Sequence, residues 1–135
     1  MTFLQLLNLG NLPTEADLLI PPESRDLVAE NLAYDITYRS FRAPGRACNW
    51  RRQWFAGSIV LSNEKIIAFR GRKRIINTRF DDPRFAGLRI TAENNTLLIA
   101  HAASLYRSDW SGSLEHRFHT PDAEVIADMI FERTR

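Results

Sequence analysis

The side chains with most chemistry to offer are basic. Arg39, Arg42, Arg46, Arg51, Arg52, Arg70, Arg72, Lys73 and Arg74 crowd into one part of the chain. A guanidinium fork meets a carboxylate or phosphate with two parallel hydrogen bonds, so such a cluster suits an anion. Charge is segregated along the sequence. Residues 1–35 carry six acids and one base, residues 36–80 eleven bases and one acid, and residues 81–135 nine acids and six bases, within a net charge of +2. Neighbouring like charges about 8 Å apart repel by about 0.5 kcal/mol in water, and by more beside a low-dielectric wall. Either acidic segments of the same molecule or an anionic partner must lie against the basic stretch. A solvated basic face balanced internally is the plainer alternative.

Catalytic groups are scarce. His116 falls between Leu114 and Phe118 on an inward strand face and reads as a hydrogen-bonded core histidine. His116 and His119, three apart on a strand, point to opposite faces and make a poor metal pair. His101 stands alone. Asp81 and Asp82 sit beside Pro83, where a turn is the better reading, and Ser104, Asp109 and Ser111 share a polar loop without a histidine at fixed range. Arg46, Arg51 and Arg52 near Cys48 favour its thiolate, but no base adjoins it. Gly71 is isolated between bases, so no phosphate-cradling glycine loop is present. The expectation is a protein without catalysis, metal or cofactor.

The elements that must position the bases are strands. Leu32, Tyr34, Ile36 and Tyr38 alternate with Asp35, Thr37 and Arg39, the period of a half-buried antiparallel strand. A long loop over 42–52 leads to strands at 55–61 and 66–70, joined by Ser62-Asn63-Glu64-Lys65. Further strands are predicted over 74–80, 88–93, 96–102 and 113–119. Asn94-Asn95 suits a two-residue hairpin. Thr120 as N-cap, Pro121 in the first turn and the spacing of Ile126, Met129 and Ile130 predict a C-terminal helix that closes the open end of a small barrel. Ahead of the strands, Thr14 predicts a short helix stopped by Pro21-Pro22, and Ser24 a helical turn over 24–30. Residues 1–30 therefore read as an extension packed on a β domain of 31–135, with 1–10 a short apolar helix or irregular cap. In the loop before the last strand, Leu105, Tyr106 and Trp110 either fold back to plug the barrel or form an oligomer contact.

A length of 135 residues with 44% hydrophobic residues is one domain with one core. The single cysteine cannot form an internal disulfide and points to a reducing, cytoplasmic setting. The first residues make a poor signal peptide, and no apolar run approaches the ~20 residues that span a bilayer.

Seven short antiparallel strands closed by one C-terminal amphipathic helix, with Trp50-Arg51-Arg52-Gln53-Trp54-Phe55 leading into the second strand, resemble the pleckstrin-homology superfold over Leu32 to Thr134. The closer resemblance is to its prokaryotic branch. The helix lacks the tryptophan common in eukaryotic members, Met129 and Phe131 being nearest to that role, and the bases near Arg51 and Arg52 are not in a clean lipid-binding spacing. The resemblance implies a partly open barrel, no catalysis, and a binding or assembly role. In such a meander the 42–52 and 70–73 connections share one end, which gathers the nine bases there. That is the end where these domains bind lipid headgroups. The expected partner is an acidic protein segment or an anionic lipid headgroup, with a location peripheral to the membrane and a homo-oligomer also open. The alternative is a single-stranded nucleic acid, with Trp50, Trp54, Phe55, Phe41 and Tyr38 as stacking platforms, although the apolar alternation draws Tyr34, Tyr38 and Phe55 into the core.

Overall fold

The computed structural model describes residues 11–134, so the segment 1–10, read above as a helix or cap, lies outside the described residues. Eight strands form: β1 (Leu27–Ala43), β2 (Arg46–Cys48), β3 (Arg51–Leu61), β4 (Lys65–Arg70), β5 (Lys73–Arg79), β6 (Arg89–Glu93), β7 (Thr96–Ala102) and β8 (Ser111–His119). Among the described residues two α-helices accompany them, α1 (Glu15–Leu19) and α2 (Ala123–Arg133). The sheet runs β5-β4-β3-β1-β8-β7-β6 with antiparallel neighbours, and β2 folds back on β1. It curls into a half-barrel, the mainly β architecture with a terminal helix that the alternation predicts.

β1 is the strand on which both halves of the sheet hang, and it is longer than its period-two run. Register shifts fall between Ala29 and Leu32 against β3, and between Arg39 and Arg42 against β8. Asn31 (φ 56°) and Ser40 (φ 49°) occupy those shifts in the left-handed region. Each bulge resets which residues face inward, so Tyr34, Ile36 and Tyr38 alternate between them and Phe41 is the next to enter the core. The helical turn predicted over 24–30 is absent. A 3-10 turn covers Pro22–Ser24, and Leu27 and Val28 pair with Leu61 and Val60. The boundary drawn at 30/31 therefore falls inside β1. The predicted 42–52 loop likewise contains β2, with Gly45 (φ 74°) supplying its turn. Asn94 and Asn95 take φ 51° and 57°, as the two-residue hairpin requires.

The concave face carries the main core, where Tyr34, Ile59, Leu97, Ile99 and Phe118 meet Ala123, Ile126 and Ile130 of α2. Thr120 Oγ1 accepts from the Asp122 amide at 3.1 Å ahead of the helix. At the far end Arg133 donates to the Ser62 carbonyl at 3.1 Å and to Asp26 at 2.7 Å. These contacts hold α2 over the pole that bears the β3–β4 turn. On the convex face Ala16 and Ile20, at α1, cover Val60, Ile67 and Phe69. β3 and β4 are thus buried on both sides where α1 lies, which is why their apolar residues run consecutively.

Two glycines are fixed by close approach. A Cβ on Gly112 (φ 89°), where β8 leaves its bulge, would land on the Arg39 and Ser40 carbonyl oxygens. On Gly57 it would lie 3.0 Å from the Phe69 carbonyl and 3.1 Å from Phe118 and Tyr34. Gly57→Ala should cost about 1.5 kcal/mol, since the Phe69 backbone on one side and the packed Phe118 ring and Tyr34 Cβ on the other have little room to yield. Urea denaturation with an unchanged midpoint would contradict this.

Candidate functional site: a cationic cavity at the open pole

The antiparallel register sends the β1–β2, β4–β5 and β7–β8 connections to the pole opposite α2. Between them lies a cavity of about 170 Å³. Its mouth is cationic. Arg46 arrives from the β1–β2 hairpin, Arg70, Lys73 and Arg74 from the β4–β5 hairpin, and Arg107 from the β7–β8 connection. Its walls are Tyr38, Phe41, Tyr106 and Trp110, and its floor includes Ile36, Leu114, His101 and His116. Trp110 packs edge-on against Phe41 at 5.2 Å, and Tyr106 edge-on against His101 at 5.3 Å. The loop aromatics fold back onto the barrel.

The mouth is under-neutralised. Among the described residues Arg74 meets Glu15 at 3.6 Å and Arg107 meets Asp109 at 3.9 Å, while Arg46, Arg70 and Lys73 make no ion pair. Arg70 lies over the Phe55 ring at 4.6 Å. Burial, and then the fields of Arg70, Arg107 and Arg46, hold the Lys73 ammonium below the usual lysine value. A lysine weakened by its own neighbours is the electrostatic signature of a site short of negative charge.

The floor is a chain of saturated hydrogen bonds. His101 Nδ1 lies 2.8 Å from the Ala102 carbonyl oxygen, which can only accept, so Nδ1 carries the proton. In neutral His101, Nε2 is then bare and accepts from His116 Nε2 at 3.0 Å. That leaves His116 Nδ1 bare, accepting from the Tyr34 hydroxyl at 2.6 Å. Both rings stay neutral. Burial above all, then the repulsion a second proton would meet beside His101 and the charge of Arg70, push His116 down to about 3, and burial also lowers His101. Burial above all raises Tyr34, which keeps its proton. His116 is the buried, hydrogen-bonded histidine the strand pattern predicts, but His101 is not alone.

The nine predicted bases share one pole and divide between two faces. Arg46, Arg70, Lys73 and Arg74 line the cavity. Arg42, Arg51 and Arg72 are exposed outside its lining. Arg39 and Arg52 belong to a different structure on the convex face. There Asp35, fully buried, accepts from Arg52 at 3.0 and 3.1 Å, lies 2.6 Å from His119 Nε2 and has Arg117 at 3.8 Å. Glu115 joins Arg117 at 2.7 Å to Arg39 at 2.6 Å. Burial opposes ionisation of Glu115, but the hydrogen bonds from Arg117 and Arg39 outweigh it and hold its pKa below the usual value. This ladder across β3, β1 and β8 sets three arginines against two carboxylates, so most of its charge is met within it. His119 sits on it, on the opposite face from His116, as their spacing requires.

No protein-family model and no curated protein matches this chain. The site stands on its geometry alone. Among the described residues no cluster of three or more metal-ligating side chains occurs, and no helix is long and apolar enough to cross a membrane. The sequence gives no reason to select Arg107, and it offers Tyr106 and Trp110 as a barrel plug or an oligomer contact rather than as walls of an anion site. Placing them at this pole requires knowing that the segment between β5 and β6 crosses from one pole to the other, which composition does not reveal.

Proposed function

We propose that the chain is a non-catalytic binding module of the pleckstrin-homology type, whose cavity receives the anionic group of an acidic peptide or a phosphate-bearing headgroup. One observation carries this reading. Arg46, Arg70 and Lys73, brought together from two hairpins, face one cavity with no carboxylate among the described residues to neutralise them. Clustered cations at the mouth of a low-dielectric cavity focus the field there and attract an anion that satisfies several of them together. Pyrophosphate titrated at low salt should bind, and binding should weaken as salt rises. Arg46→Ala and Lys73→Ala should each weaken it about tenfold, equivalent to ~1.4 kcal/mol. The lysine should also become harder to deprotonate once the anion is in place. Absence of calorimetric heat and NMR shift at low salt, or full affinity in the double variant, would falsify the proposal.

A second reading has one observation in its favour. Trp50 and Trp54 are exposed, at 64% and 52%, beside arginines. Single-stranded nucleic acid stacks on such rings. Arg39 already lies over Trp50 at 3.8 Å, and His119 stacks on Trp54 at 5.2 Å, so much of each ring is taken within the molecule. A gel shift with a single-stranded oligonucleotide that Trp50→Ala and Trp54→Ala together abolish would favour this reading over the cavity.

A further inference from the structure

The cavity is specific about more than charge. Its cations are at the exposed mouth, whereas Ile36, Tyr38, Phe41, Leu114 and His116 at its inner end are all buried. The two histidines there look like polar anchors, but the hydrogen-bond chain leaves none of their four nitrogens free. Each is bound to Ala102, to the partner ring or to Tyr34. A polar group pushed to the histidine floor would lose its water and gain no histidine nitrogen in return, which costs affinity. An inorganic anion would stay at the mouth and leave the rest of the cavity unused. The remaining volume has a definite size. The whole cavity measures about 170 Å³, and an apolar cavity of about 150 Å³ accepts one benzene ring. Ring faces and edges of Tyr38, Phe41, Tyr106 and His101 surround it, a lining suited to stacked or edge-on contact with another aromatic ring.

We infer that the ligand group is a single aromatic ring bearing one anionic substituent, seated ring-inward against the His101–His116 pair with its charge among Arg46, Arg70 and Lys73. This rests on the anion-binding reading and specifies what the anion is attached to.

The experiment compares matched ligands on the wild-type chain at one low ionic strength. Benzoate should bind at least tenfold more tightly than acetate, and phenyl phosphate at least tenfold more tightly than inorganic phosphate. Benzyl alcohol, with the ring but no charge, should bind more weakly than benzoate. In NMR spectra benzoate should shift the ring-carbon protons of His101 and His116, which an anion held only at the mouth would leave in place. Ala103→Leu, which fills the cavity from its lining, should remove the advantage of benzoate while sparing acetate. If acetate and inorganic phosphate bind as tightly as their aromatic counterparts, the inference fails and the anion site stands. If no anion binds, the inference and the reading beneath it fall together. The ligand series decides the matter even if the Ala103 variant does not fold.

Discussion

Between pH 7 and pH 5 the protein is expected to lose about 2 kcal/mol of folding stability through His116 alone. The folded state holds this ring neutral down to about pH 3. The unfolded chain protonates it near its ordinary value of about 6.5. Below that value the unfolded state binds the extra proton, so stability falls as pH falls, at up to about 1.4 kcal/mol per pH unit. His101, also lowered by burial, adds to the loss in the same window. The carboxylates with lowered pKa, Asp81, Asp82 and Glu115, contribute only below the ordinary carboxylate range, so the interval isolates the histidines. Protonation also has a structural consequence. A proton on His101 Nε2 would meet the proton already on His116 Nε2, and the chain to Tyr34 must then reverse its donors. Urea denaturation at the two pH values measures the loss. In His116→Gln, whose amide can still donate toward His101, the slope should shrink to the His101 share. A wild-type midpoint that does not move between pH 7 and pH 5 would show that the fold does not hold these rings neutral.

Removing the carboxylate from the convex ladder should cost more. Asp35→Ala is expected to destabilise the protein by about 3 kcal/mol, the lower end of the range for breaking a buried pair. The lower end applies because Arg52 is half exposed and can turn to water, while Arg117 at 25% and His119 at 30% are more confined. At this size the melting temperature should drop by about 10 °C. Asp81→Ala, which removes an exposed partner of Arg79, is the control and should leave the melting temperature nearly unchanged. Equal melting temperatures for the two variants would show that Asp35 is not the keystone of the ladder.

Much of the fold was legible because its strands are short and their turns well marked. Asn94-Asn95, the alternation of Tyr34, Ile36 and Tyr38, and the spacing on α2 each state a local geometry. The misreadings share one physical cause. Asn31 and Ser40 bulge β1, so its pattern is regular only between them, and the outer stretches resemble a helical turn and a loop. The cavity was half legible. Alternation plus the parity of a meander brings Arg46 and Lys73 to one pole. It cannot say that Arg52 turns to the convex face to meet Asp35, because that depends on which residue of β1 stands opposite. Nor can it join His101 to His116. Those rings meet diagonally across β7 and β8, where His101 is opposite Leu114 and His116 opposite Ile99, and the register is set by a loop of unpredictable length.

β5 and β6 end the sheet without joining each other. What bridges them is side-chain contact, the Thr78 and Tyr106 hydroxyls and the Phe80 and Phe85 rings at 5.4 Å. β5 is thus an edge strand laddered on one side only, to β4, whereas β1 is paired on both sides. Amides of β5 should therefore exchange with deuterium before those of β1.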